Sequence, residues 1–146
     1  MARKSMIERL AEEDLRDYRL KKQAVETLQD QIARYNYSFT AIRSATTDST
    51  PVSGALNMRE EALTDNICMR IYLKAKLDEA QMFVKAVDDA LSVLDARERL
   101  IIDRMYIYPE KNAMERLKSE LNLEQSQIYY YKDMAVSKFR KAYYGA

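Results

Sequence analysis

Only two glycines, Gly54 and Gly145, and two prolines, Pro51 and Pro109, punctuate the 146 residues of this chain. A many-stranded sheet needs a turn every few residues, and turns draw on Gly, Pro, Asn and Asp, so that architecture is excluded. Ala, Leu, Glu, Lys, Arg, Met and Gln dominate instead, and all of them favour helix. The expected fold is therefore all-α, and the few breakers mark where its helices stop.

Between Leu15 and Ile42 the apolar residues Val25, Leu28, Ile32, Tyr35, Phe39 and Ile42 recur at alternating steps of three and four. That is the spacing of a helix with one seam packed against a neighbour. The segment SATTDSTPVSGALN, Ser44 to Asn57, loses the period and collects turn formers, which predicts a loop near 43–57. From Met58 to Leu94 the period returns, with Leu63, Ile67, Ile71, Leu77, Ala80, Val84, Val87, Leu91 and Leu94 on one broad face. Two long helices joined by a loop bury both seams most simply as an antiparallel, coiled-coil-like hairpin over 1–93. A two-helix hairpin covers little of its own apolar surface, so a homodimer through these helices is expected. The alternative is that the seams are satisfied within one chain.

Chemistry is scarce along the sequence. There is no histidine and one cysteine, Cys68, which rules out an intramolecular disulfide and any His-containing metal site. Cys68 lies in the apolar stretch NICMRIYL and is expected to be a small core residue. The acidic pairs Glu12-Glu13, Glu60-Glu61 and Asp88-Asp89 are expected to solvate helix faces, because helical neighbours diverge and no histidine supports an acid–base site. No cofactor and no enzymatic activity are expected. No apolar run approaches the ~20 residues of a membrane span. The opening MARKSMIERLAEED is charged throughout, unlike a signal peptide, so a cytoplasmic location is expected.

Residues 94–146 have the order of parts of a helix-turn-helix. A helix RERLIIDRMYI is followed by a Pro-broken loop, a short helix MERLKSEL, the turn Leu121-Asn122-Leu123, and a longer helix that begins with Glu124-Gln125-Ser126-Gln127. The middle turn residue must take a sharp, left-handed conformation, which Asn tolerates second only to Gly. In the last helix Ile128, Tyr131, Ala135 and Phe139 fall on one inward face, with Met134 or Val136 at its margin. Gln125, Ser126, Gln127, Tyr129, Tyr130 and Lys132 are then left pointing outward. In such units the start of the last helix enters the major groove of double-stranded DNA. There the glutamines suit adenine edges, Ser126 a base or phosphate, and the tyrosines a thymine methyl or phosphate. The net charge of the chain is only +1, but from Glu124 onward Lys132, Lys138, Arg140 and Lys141 face two acids. Lys138 and Arg140 are accordingly expected to hold phosphates, and Tyr143 and Tyr144 to pack against the hairpin.

The segment from Leu94 resembles the promoter-reading C-terminal domain, region 4, of bacterial sigma factors. Leu94, Arg97, Glu98, Arg99, Ile101 and Ile102 match its opening helix; Leu121, Asn122 and Leu123 match its turn; Ile128, Ala135, Val136, Lys138, Phe139 and Arg140 match its closing helix. Asn122 stands where the family has Gly, and Glu124 where it has a Ser cap. Nothing before Leu94 resembles a domain that captures the minus-10 element, so a complete sigma factor is not expected. With LRDYRLKKQAVETLQDQI and the STPVSG loop ahead of it, the chain is similar to small phage and prophage regulators of the ArpU/RinA type. That resemblance implies a late-gene activator, with RNA polymerase as a second candidate partner. Two other expectations compete with it: a recognition subunit like the small subunit of phage terminases, and a sigma-like adaptor that contacts polymerase without DNA.

Overall fold

The computed structural model describes residues 3–45 and 53–146. It is all-α: α1 spans Met6–Ser44, α2 Ser53–Leu91, α3 Ala96–Ile102, α4 Ala113–Leu121 and α5 Gln125–Tyr144, with no strand among the described residues. None of these helices is long and apolar enough to cross a membrane. Part of the expected loop near 43–57 lies outside the described residues. Its last part differs from expectation: Ser53–Asn57 is already helical and forms the start of α2.

Local sequence explains most boundaries. At the start of α1, Ser5 and Glu8 cap each other: the Ser5 N–H donates to Glu8 Oε2 at 2.8 Å and the Glu8 N–H to Ser5 Oγ at 3.3 Å. α2 ends at Leu91 because Asp95 starts the next helix through the same device. The Glu98 N–H donates to Asp95 Oδ1 at 2.8 Å and the Asp95 N–H to Glu98 Oε1 at 3.2 Å. The donated backbone N–H of Glu98 holds the Asp95 carboxyl below the ordinary carboxylate value. α3 runs on into a π-helical turn, Asp103–Ile107, closed by a Tyr108 N–H to Asp103 C=O bond of 2.7 Å. Pro109 then prevents further helix.

The α1 residues Val25, Leu28, Ile32, Tyr35, Phe39 and Ile42 are all half-buried, the continuous face that their spacing predicts. In α2 the covered face differs from the expected one. It runs Leu56, Arg59, Leu63, Asn66, Arg70, Leu73, Leu77, Ala80, Val84, Val87, Leu91, an unbroken alternation of three and four. Ile67 and Ile71 stand beside this seam and are 42% and 66% exposed, which corrects their assignment to it. The seam instead accepts polar Arg59, Asn66 and Arg70, so a search for apolar residues alone shifts its register. Cys68 is exposed as well, not a core residue, because it lies across the helix from Asn66 and Arg70.

The chain forms two compact units, and they do not follow the expected division after residue 93. One comprises Met1–Lys22 with Met82–Ala146, the other Gln23–Gln81. In the first, Ala11, Leu15 and Tyr18 of α1 and Val87, Ala90 and Leu91 of α2 are buried in one cluster with Ile102, Tyr106, Ile107, Ala135, Val136 and Phe139. The start of α1 and the end of α2 thus cover the rear of α5. Tyrosines secure this core at its edges. Tyr18 donates to Asp88 and Tyr144 to Asp14, while Tyr106 donates to Glu12 at 3.4 Å, and Lys4 bonds the same carboxylate at 2.6 Å. Burial, reinforced by the Asp88 bond, pushes the Tyr18 hydroxyl up to about 12. Tyr143 stacks on Phe139 at 5.4 Å between ring centroids and meets Phe83 edge-on, so the packing role expected for the terminal tyrosines holds. Glu12 is buried, which corrects its assignment as a solvating acid, whereas Asp88 stays exposed and accepts from the Tyr18 hydroxyl as well.

In the second unit, side chains of α2 reach α1 directly. Asn66 Nδ2 donates to the Tyr35 C=O at 2.9 Å, and Arg70 donates to Asn36 Oδ1 at 3.1 Å while its guanidinium lies 4.5 Å from the Phe39 ring centre. Among the described residues of this unit, only Asn66, Leu73, Leu77 and Ala80 are buried, all on α2.

Candidate nucleic-acid interface

α3, α4 and α5 pack on a small core of their own. Ile101, Leu117 and Ile128, one from each helix, are fully buried, and Leu100, Met105, Met114, Leu121, Leu123 and Tyr131 close around them. The connection between α4 and α5 is made by Asn122 at φ 58° and ψ 42°, the one left-handed residue other than glycine among those described. Its N–H and that of Leu123 both reach the Lys118 C=O, which ends α4 and turns the chain within three residues. The conformation expected of Asn122 is the one observed.

At the start of α5 the Glu124 N–H donates to Gln127 Oε1 at 2.9 Å. Glu124 is therefore the N-cap residue, in the place a Ser would take, and Gln127 is the residue that closes the cap. Of the two glutamines expected to read bases, Gln127 already uses its carbonyl oxygen on the backbone. A bidentate contact with adenine would have to share that oxygen or break the bond. Gln125 and Ser126 are exposed, as are Tyr129 and Tyr130, the latter at 61%. On the inward side Ile128, Ala135 and Phe139 are fully buried and Tyr131 is half-buried. Val136 is the buried marginal residue, whereas Met134 is exposed.

The cations divide into two groups. Lys132 is half-buried, its side chain 14% exposed, with its Nζ 5.2 Å from the Tyr129 ring centre and 3.5 Å from Asp133 Oδ1, so the outward placement expected of it is corrected. Lys138 Nζ instead bonds Glu98 Oε1 at 2.9 Å, and Glu98 is buried. Lys138 is thus the counter-ion of the α3 cap. Arg140 is half-buried, and its Nε has no hydrogen-bond partner. The structure brings Gln125, Ser126, Tyr129, Tyr130 and Lys132 together on the first turns of α5; it turns Gln127 to the cap and Lys138 to Glu98.

One exposed cation beside this face was missed from sequence. Arg97 of α3 lies 4.5 Å over the ring of Tyr131, which in turn meets Tyr130 edge-on at 5.5 Å. The contact joins residues 34 positions apart, and the only hint in the sequence is an arginine in the first turn of a capped helix. Elsewhere on the unit, Arg104 bonds Glu120 at 3.1 Å, and Arg116 bonds Glu110 at 2.9 Å.

Comparison with protein-family models, with curated protein sequences and with solved structures finds no match for this chain.

Proposed function

We propose that the protein is a sequence-specific, double-stranded DNA-binding transcriptional regulator that acts as a homodimer, with α4, the Asn122 turn and α5 as its helix-turn-helix. The observation that carries this reading is the division of α5 into two faces. Ile128, Ala135 and Phe139 are buried, while Gln125, Ser126, Tyr129 and Tyr130 are presented to solvent directly after a three-residue turn. A helix used only for packing has no need of this polar and aromatic face on its first turns, whereas a recognition helix reads base edges with those positions.

Roles follow from the geometry. Gln125 and Ser126 are the base readers, with Tyr129 and Tyr130 at the groove wall. Lys132 and Arg97 supply phosphate contacts, each held against a tyrosine ring, a placement that reduces the freedom lost on binding. Lys138 has a structural part and Arg140 a secondary one. In this reading the two long helices form an antiparallel hairpin, which the Asn66–Tyr35 and Arg70–Asn36 bonds support. Together with the sigma region 4-like pattern from Leu94, this favours a promoter-proximal regulator of the phage late-gene kind, located in the cytoplasm and touching RNA polymerase as a second partner.

The test is binding to a selected duplex and to a scrambled one over a salt series. Gln125→Ala is expected to lower affinity for the selected site alone. Arg97→Ala is expected to weaken both sites equally and reduce the salt dependence by about one phosphate contact. Equal losses on both duplexes for Gln125→Ala would remove direct base reading.

A further inference from the structure

Unit 2, Gln23–Gln81, leaves apolar surface that its own two helices do not cover. None of the six α1 seam residues is fully buried, and Arg59 Nε, Asn66 Oδ1 and Arg70 Nε are enclosed without a hydrogen-bond partner. Beside the seam, Ile67 and Ile71 stand one helical turn apart on the same flank of α2. With Asn36, Arg70 and Lys74 they line a shallow groove of about 420 Å³. Two β-branched side chains exposed on adjacent turns, over a groove, mark a docking face and not a scattered surface residue.

The charges on that flank indicate the occupant. Glu60 lies one heptad before Ile67 and Lys74 one heptad after it, so the flank reads acid, isoleucine, base at equal intervals. Under a two-fold axis through Ile67, an antiparallel α2 from a second copy puts each Glu60 opposite the partner's Lys74 and lays the isoleucines against each other. This is the self-complementarity that an isologous interface requires. Lys74 now bonds Asp78 of its own helix at 2.9 Å, with both side chains exposed, and a pair of that kind exchanges partners at little cost. The α2 stretch in this unit is about 44 Å long at 1.5 Å per residue, and two paired helices of that length reach the area of a standard stable interface.

We infer that a second copy of this chain docks on the Ile67 and Ile71 face of α2, antiparallel about a two-fold axis near Ile67, and completes a four-helix bundle. The inference names the face for the proposed homodimer and does not depend on DNA reading, since every residue involved belongs to unit 2. An opposite flank, Met69 and Tyr72, is also exposed and serves as the control.

Sedimentation equilibrium of the full-length chain tests this, with circular dichroism to confirm that each variant is folded. The expected result is a dimer at roughly 10 µM that Ile71→Glu weakens more than about 100-fold, while Tyr72→Glu leaves it intact. Glu60→Lys should weaken the dimer about tenfold through two like-charge contacts, and adding Lys74→Glu should restore it. A monomeric wild-type chain would overturn the inference, and would point to another macromolecule as the occupant. Dissociation by Tyr72→Glu but not Ile71→Glu, or failure of the double exchange to restore the dimer, would overturn it as well.

Discussion

α1 and α2 each contribute to both units, yet the same pair of helices is packed differently in the two. In the unit that contains α3 to α5, Ala11, Leu15, Val87 and Leu91 are at most 1% exposed. In Gln23–Gln81 the equivalent α1 positions, Val25 to Ile42, are only half-buried, and α2 places Arg59, Asn66 and Arg70 in its seam. The difference lies in what covers the pair. Phe139, Val136 and Ile102 provide a third layer over the first, and among the described residues of the second unit α1 and α2 face only each other. A heptad pattern therefore specifies which face of a helix seeks a partner, but not how completely the partner buries it.

The largest expected effect is in the closed unit. Phe139→Ala opens a cavity in its centre and should lower stability by about 3–5 kcal/mol, whereas Phe39→Ala in the open unit should lower it by roughly 1–2 kcal/mol. Denaturant titration combined with residue-resolved hydrogen exchange would separate the two. Similar losses at both sites would remove the contrast. Next in size is Lys138→Ala, which leaves the Glu98 carboxylate buried without its counter-ion and should lower stability by about 1–3 kcal/mol. On the proposed roles it should change DNA affinity less than Arg97→Ala does, as a filter-binding comparison would reveal.

The tyrosines of the closed unit sharpen the comparison further. Burial raises the Tyr18 hydroxyl from 10.0 to about 12, and it raises Tyr106 and Tyr144 in the same direction. A raised value in the folded state means that the unfolded chain ionises first. The stabilisation is complete below pH ~10 and is lost as pH rises toward 12. Hydrogen exchange followed through that window should show Met82–Ala146 weakening with pH. In Tyr18→Phe that decline should be shallower. The smallest effect is Asn122→Gly, which relieves the left-handed strain and should stabilise the unit by a few tenths of a kcal/mol; Asn122→Val has the opposite sign and should destabilise it by about 1–2 kcal/mol. Thermal melts would detect both.

Much of this fold is legible in the sequence, and what is not has definite causes. The α1 seam, the left-handed Asn122, the helices on either side of it and the inward face of α5 all follow from local chemistry, because spacing and turn preference act over a few residues. Most of the α2 seam, Leu63, Leu77, Ala80, Val84, Val87 and Leu91, was legible too, but its stretch from Arg59 to Arg70 was shifted because it admits two arginines and an asparagine, whose stems and amides pack where apolar residues were sought. Ile67, Ile71 and Cys68 were misplaced as a consequence. At the interface, the outward set Gln125, Ser126, Tyr129 and Tyr130 is a matter of helical phase. The commitments of Lys138 to Glu98 and of Arg97 to Tyr131 join residues 34 to 40 positions apart, and no local rule reports such pairs. Gln127 is different in kind. Its role in the cap was half legible, since Gln three residues after the N-cap fits a capping box, but Glu124 stands where Ser, Thr, Asp or Asn is usual.

The most direct test of the central claim is selection of bound duplexes from a random library by the wild-type chain and by a Gln125→Ala, Ser126→Ala, Tyr130→Ala variant, at near-physiological salt. The account predicts a defined motif enriched by the wild type and lost in the variant, with both proteins equally folded. A wild-type chain that enriches no motif, or a variant that enriches the same one, would contradict it.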